Sequence, residues 1–302
     1  DKKMVTGVIQ AGSSLGILVP PSVVLVLYAM IARQPVGQLW LAGVVPGLMM
    51  AAMFILYIVI RCRLNPALGP ALSREDRDVP MAEKLRLLRA GLLPLMIFFF
   101  MTGLFLMGVT SLVESSAVGA LAATLAALFK RRLTWKVIES TVHKTLGISC
   151  MFMWIILAAL AFGAVFDGLG AVKAIEGFFV DRLGLSPWEV LIMMQLSYIL
   201  LGMFLDDTAM LVIVAPLYVP LVISLGFDPI WYGVFLVIMI ETGMITPPVG
   251  MNIFVMQSQL PTMSLPRLYQ SVLPFVLAPV FLAALIIFVP EIVTWLPTTL
   301  FD

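Results

Sequence analysis

Charge is scarce in this sequence. Only 12% of its 302 residues are Asp, Glu, Lys or Arg, while 62% are hydrophobic. A soluble domain carries about 25% charged and 45–50% apolar residues, so a water-soluble core cannot absorb this much apolar surface. The net charge of +1 gives nucleic acid no basic face to bind. Histidine occurs once, as His143 beside Lys144 in a basic loop, which leaves it no partner for acid–base or ligand chemistry. Two dispersed cysteines, Cys62 and Cys150, exclude a disulfide framework and a cysteine zinc site. No nucleophile–base pair or metal-spaced cluster falls among the apolar runs, so the residues do not point to an enzyme.

What remains is long apolar runs. Several extend for about 17–25 residues without a charge, enough to cross a bilayer core roughly 30 Å thick. The runs are continuous instead of alternating, which favours helices over a barrel. The expected fold class is an all-α polytopic membrane protein. Expected spans are 4–31, interrupted by "SSLGILVPPS", then 39–60, 91–107, 112–129, 145–166, 188–225, 230–256 and 271–289. Between them lie the charged stretch "SREDRDVPMAEKLRLLR", the basic stretch "KRRLTWKVIESTVHK" and a mixed-charge loop at 167–187. "MAEKLRLLR" reads as a short amphipathic arm on the cytoplasmic surface, or as a plain loop.

Lysine and arginine set the orientation. Alternating the loops between sides puts fifteen of the 18 basic residues on one side and leaves Arg33, Lys173 and Arg182 on the other. The rich side is cytoplasmic, and the C-terminus is then outside. Trp40, Trp188, Trp231 and Trp295 fall near the outer boundaries, where an aromatic belt accounts for them. No lysine or arginine falls inside a span.

Two short motifs interrupt the apolar runs in the same way. "SSLGILVPPSV" superposes Gly16, Pro20 and Pro21 on Gly243, Pro247 and Pro248 of "IETGMITPPVG" at one spacing of 227. Each copy is followed by a proline opening an apolar span, Pro46 and Pro274. This is an internal repeat. The orientation makes it inverted, an arrangement found in secondary transporters. Paired prolines stop a helix by removing donors and by clashing with the preceding turn. The freed carbonyls and amides would each cost several kcal/mol in hydrocarbon. They persist where they are buried in protein or line a polar cavity, and there carbonyls suit sodium and amides suit a carboxylate.

The third feature is "LGMFLDDTAMLVIVAP", which places Asp206 and Asp207 between two apolar arms. Loop parity admits two full spans or a hairpin that re-enters the membrane. A tip whose only polar residues are Asp206, Asp207 and Thr208 favours the hairpin, and intramembrane acids are candidate functional groups. Glu114, in "TSLVESS", reads as a turn or helix-start carboxylate.

"AGSSLGILVPPSVVL", "LWLAGVVPGL", "ESSAVGALAA", "RRLTWKV", "LGMFLDDTAMLVIVAPL" and "ETGMITPPVGMNIFV" resemble the large membrane subunit of tripartite ATP-independent periplasmic (TRAP) transporters, in order and over nearly the whole chain. The resemblance implies an elevator-type fold with inverted repeats, broken helices and a re-entrant hairpin. It implies sodium-coupled symport of an organic acid anion, such as a C4-dicarboxylate or sialic acid, into the cytoplasm. The implied partners are a small four-helix membrane subunit and a periplasmic substrate-binding protein, in the bacterial inner membrane. Residue by residue, it carries sodium binding to Ser14, Gly16 and Val19 at a first site and to Asp206, Gly243 and Thr246 at a second. Substrate contacts go to Ser13, Ser14, Thr208 and Thr242. Asp207 stands where the family often has glycine. The expected parts are the end of the first repeat (1–62), a cytoplasmic arm (63–90) and the second repeat (91–302). The second repeat holds a hairpin at about 188–225, a broken helix at about 230–258 and a scaffold helix at about 271–289. The start at "DKKMVTG" reads as lacking an N-terminal part with the first hairpin. The alternatives are a sodium–carboxylate symporter working without a binding protein, and a channel or scaffold subunit.

Overall fold

The computed structural model describes residues 1–70, 79–247 and 250–301. Pro248 of the second motif and the charged stretch at 71–78 lie outside them. The described residues form helices joined by short turns, with no strand among them. Six helices are long and apolar enough to cross a membrane.

The helices follow the apolar runs, and the two motif breaks fall at their prolines, while Pro46 and Pro274 lie inside long helices instead of opening them. α1 (Lys2–Ser14) tightens into a 3₁₀ turn at Leu15–Ile17, and α2 (Val23–Ala32) resumes beyond Pro20 and Pro21. α3 (Val36–Leu64) is one long helix. α10 (Pro229–Ile245) stops before Pro247, α11 (Met251–Gln259) resumes, and α12 (Leu265–Phe288) is again long. The order of short, broken, short and long therefore occurs twice at the spacing read from the sequence. Between the copies lie α4 (Met81–Leu106), α5 (Leu112–Phe129), α6 (Trp135–Gly168) and α7 (Ala171–Glu176), followed by α8 (Pro187–Gly202) and α9 (Asp207–Ser224). α13 (Glu291–Phe301) closes the described chain.

Contacts divide the chain into two units, 1–69 with 154–302, and 70–153. In the first unit α10 is central. It is apolar on every face until Glu241 and Thr242 near its end, and every residue from Trp231 to Gly243 is buried, as expected of a core helix with neighbours on all sides. Packing between the repeats is exchanged. α1 lies along α12, and α10 lies along α3, so the first helix of each repeat packs on the long helix of the other. The glycines allow this closeness. A Cβ on Gly7 would stand 2.2 Å from the Ser271 carbonyl oxygen, and one on Gly233 would stand 2.4 Å from the Tyr28 ring. Gly7→Ala is expected to cost about 1–3 kcal/mol through overpacking against rigid backbone. A thermal unfolding midpoint several degrees lower than that of Gly12→Ala would register it, because nothing stands within 4 Å of a Cβ on Gly12.

The second unit pairs α4 with α5. α4 is continuous from Met81, so "MAEKLRLLR" and the span after it share one helix. Leu92, Leu95, Phe99, Leu121 and Leu125 are exposed, the surface a helix turns to lipid or to another membrane segment. α5 starts at a capping box. Ser111 Oγ accepts from the Glu114 amide, and Glu114 Oε2 accepts from the Ser111 amide at 2.7 Å. Glu114 is thus the helix-start carboxylate expected from the sequence.

Two local expectations give way. Trp40 and Trp231 are core residues instead of belt residues, 5% and 3% exposed. Their indole N–H groups donate to the Ser22 and Ile286 carbonyls at 3.2 and 3.1 Å, which satisfies them away from the interface. Trp188 and Trp295 stay exposed. The mixed-charge loop at 167–187 contains α7 and a π-helical turn at Gly177–Arg182. The segment after Val289 is helix α13, packed along α3.

Candidate functional site

Each break is built from the residues that cause it. At the first, Ser22 caps α2 by accepting from the Leu25 amide at 3.2 Å, and its hydroxyl donates to the Ile17 carbonyl oxygen. α3 presses against this break. A Cβ on Gly43 would stand 2.5 Å from the Leu18 carbonyl oxygen, and one on Gly47 2.6 Å from the Val19 side chain. At the second break, Thr246 is extended (φ −91°, ψ 130°), the geometry a following proline imposes. The Thr246 amide donates to the Gly243 carbonyl at 3.1 Å, and the Thr246 hydroxyl donates to the Thr242 carbonyl. Gly250 has φ +61° before α11 begins, a conformation glycine adopts without penalty.

The hairpin α8–α9 carries the acids to the second break. α8 packs along α10. The two helices meet at a glycine pair, where a Cβ on Gly243 would stand 2.9 Å from the Gly202 Cα atom and 3.0 Å from the Ile199 carbonyl oxygen. At the tip the Met203 carbonyl accepts from the Gly250 amide at 3.0 Å. Hairpin tip and broken helix are therefore joined by backbone on both sides of the break. α9 also packs along α2, so the hairpin touches the half-helices of both repeats.

The two adjacent acids differ. Asp207 Oδ1 accepts from the Thr208 amide at 2.7 Å and from its hydroxyl at 3.2 Å. Asp206 is the N-cap of α9, is exposed, and makes no side-chain capping bond. Its carboxylate is therefore the one left to take a cation, beside amides whose partial positive charge favours an anion. Among the described residues no three His, Cys, Asp or Glu side chains cluster. A cation here would be held by one carboxylate with hydroxyl and carbonyl oxygens, the donor set for a hard ion.

The other expected residues divide. Ser14, Gly16 and Val19 lie at the end of α1 and in the first break, with Gly16 exposed and Val19 half-buried. Ser13 is exposed, and its hydroxyl donates to the Gln10 carbonyl at 2.9 Å. Thr208 is half-buried at the hairpin tip. Thr242 is 1% exposed, and its hydroxyl donates to the Ile238 carbonyl at 2.6 Å, so in this conformation it faces helix instead of open space. Two cavities lie elsewhere, about 220 Å³ beside Lys3 and Tyr57 and about 480 Å³ beside Arg33 and Pro216, and no expected site residue lines either.

Sequence reasoning gave Glu241 no role. It is fully buried, and its Oε1 lies 2.6 Å from the Ser14 hydroxyl oxygen. The signal was present, because the two residues occupy the same place in their motifs.

Comparison with known proteins agrees with this architecture. Residues 1–292 match the family model described as "Tripartite ATP-independent periplasmic transporter, DctM component". The chain is 32% identical over 297 residues to the C4-dicarboxylate TRAP transporter large permease protein DctM of Pseudomonas aeruginosa, covering 97% of this chain and 67% of that one. It is 33% identical over 321 residues to the protein of the same description from Vibrio cholerae, covering 99% and 69%. To the sialic acid TRAP transporter permease protein SiaT of Haemophilus influenzae it is 30% identical over 304 residues, spanning 99% of this chain and 48% of that one. The chain belongs to the DctM component family of the tripartite ATP-independent periplasmic transporters, and is a transporter permease, not an enzyme.

Proposed function

We propose that this chain is the part of a sodium-driven symporter that carries an organic acid anion, of the C4-dicarboxylate or sialic acid class, into the cytoplasm. The two acid classes are those in the names of its relatives. In this reading a periplasmic binding protein delivers the solute, and a small four-helix membrane subunit widens the scaffold. The chain crosses the inner membrane several times with its C-terminus in the periplasm. The observation that carries the reading is the docking of the hairpin tip on the second break, through the Gly202–Gly243 approach and the Met203–Gly250 hydrogen bond. Asp206 follows Met203 by three residues in the same hairpin tip, and its side chain makes no capping hydrogen bond.

The chemistry follows from the donors. Asp206, the Thr246 hydroxyl and the Gly243 carbonyl supply hard oxygen for sodium at the second site. Ser14, with the backbone at Gly16 and Val19, supplies it at the first. Ser13, Ser14, Thr208 and Thr242 lie around the solute carboxylate, with Thr242 turning out of its present hydrogen bond to reach it. Sodium bound at Asp206 cancels a charge that would repel the anion, so ion and solute bind better together than apart. The unit holding both breaks then moves against a scaffold that includes α3 and α12.

A gradient experiment tests this reading. Proteoliposomes holding the complete transporter and its binding protein should accumulate solute when sodium is high outside. Accumulation should stop when choline replaces sodium or an ionophore collapses the sodium gradient. Equal accumulation driven by a proton gradient without sodium would overturn it. Uptake without the binding protein would remove that partner.

A further inference from the structure

Ser14 and Glu241 stand 227 residues apart, the separation that superposes Gly16 on Gly243 and Pro20 on Pro247. Each lies two residues before the glycine of its motif, so they are equivalent positions of the two repeats. A twofold relation brings equivalent positions into contact only where its axis passes. Ser14 and Glu241 are in contact, with the Ser14 hydroxyl 2.6 Å from Glu241 Oε1, which places the axis through this bond.

The bond is costly to keep. Glu241 is fully buried and Ser14 is 3% exposed. Glu241 Oε2 has no hydrogen-bond partner among the described residues. The ion pair found among them, Arg86 with Glu83, lies elsewhere in the chain. A buried acid held by one hydroxyl is a poor way to gain stability, because the desolvation of the carboxyl is only partly offset. Ser14 is also an expected ligand of the first cation site, and Glu241 lies one helical half-turn before Gly243 of the second.

We propose that Glu241 is a positioning residue whose hydrogen bond to Ser14 couples the two cation sites, so that sodium bound at one break raises the affinity of the other. The inference rests on the sodium reading above and adds the element that joins its two sites. Ordering the second break fixes the end of α10 and with it Glu241. Glu241 in turn draws the Ser14 hydroxyl, which also lies 2.8 Å from the Ala11 carbonyl oxygen, toward the break at the end of α1. A cation arriving at the first site then meets a ligand already in place and pays less ordering cost. The linkage is reciprocal, as binding free energies require.

The test uses the complete transporter in detergent, with sodium alone as the probe. Its thermal unfolding is followed while sodium chloride replaces choline chloride at constant ionic strength. The wild type should show a sigmoidal rise with a Hill coefficient above about 1. Glu241→Leu, which removes the acceptor, should lower that coefficient to about 1 and raise the half-saturating sodium concentration roughly 2- to 12-fold, the square root of ordinary coupling factors, because the midpoint of two coupled sites moves as that root. Glu241→Gln keeps an oxygen for the Ser14 hydroxyl and should keep the sigmoid. In a Ser14→Ala background the Glu241→Leu step should have no further effect, because its partner is gone. If Glu241→Leu fails to fold, Glu241→Met offers an unbranched chain of similar length for the same measurement. An unchanged sigmoid in the Leu or Met variant overturns the coupling role, as does its loss in Glu241→Gln. A hyperbolic wild type overturns the coupling alone. A wild type that sodium does not stabilise at all overturns the sodium reading itself.

Discussion

Asp206→Ala is expected to abolish sodium-dependent uptake in proteoliposomes, a fall of at least about a hundredfold, equivalent to about 2.7 kcal/mol. The loss should leave folding nearly intact. The side chain is exposed and makes no capping hydrogen bond, so its removal costs less than an ordinary N-cap loss of about 0.5–2 kcal/mol. What disappears is the one carboxylate of the hairpin tip not already engaged by its neighbours. Asp206→Asn keeps the shape and the cap geometry without the charge, and should lose uptake too. Asp207→Asn separates the two acids. Asp207 already accepts from both the amide and the hydroxyl of Thr208, and an amide oxygen can still accept from them. It should retain most of the uptake. Unchanged uptake in Asp206→Ala would remove this residue from the mechanism, and a larger loss in Asp207→Asn would transfer the role to its neighbour.

Gly243→Ala is expected to cripple transport by a different route. The added methyl would meet the Gly202 Cα atom at 2.9 Å and the Ile199 carbonyl oxygen at 3.0 Å. Both are backbone in helix α8, so no side chain can swing aside. α8 and α10 must separate, at a cost of about 1–3 kcal/mol. Separation also pulls the hairpin tip away from the break and lengthens the Met203–Gly250 hydrogen bond, now 3.0 Å. Uptake should fall more than about tenfold, and the unfolding midpoint should drop by a few degrees, as for a domain-sized loss of this order. Gly202→Ala should do the same, because a Cβ there would stand 3.1 Å from the Gly243 Cα atom. The double variant should cost less than the sum, since either methyl already forces the helices apart. A Gly243→Ala protein with wild-type uptake would show that the close approach is not needed for function.

Much of this architecture was legible in the sequence because its causes are local. Pro20–Pro21 and Pro247–Pro248 mark the breaks, since an adjacent pair removes two backbone donors and clashes twice with the preceding turn, whereas single prolines such as Pro46 and Pro216 are carried inside helices. The charge-free runs mark the spans, and Ser111 with Glu114 marks the start of α5 at capping-box spacing. Other features depend on what meets what across the fold. Trp40 and Trp231 looked like belt residues by position along the chain, yet the packing of α3 and α10 encloses both and supplies carbonyls for their N–H groups. α13 is short and contains Pro297, so its sequence does not read as a span. It is helical while packed along α3. Glu241 is the clearest case. Its motif was visible, and so was its spacing of 227 from Ser14. The sequence does not reveal that equivalent positions touch, because that depends on where the axis between the repeats falls. The same limit applies to Thr242, whose place in the motif puts it beside the expected solute while the helix turns its hydroxyl toward Ile238.

Simultaneous measurement of radioactive sodium and solute influx in proteoliposomes holding the complete transporter tests the central claim most directly. Sodium should enter with the solute in a fixed ratio, and both fluxes should vanish together in Asp206→Ala. Solute entering at full rate with no accompanying sodium would contradict the account.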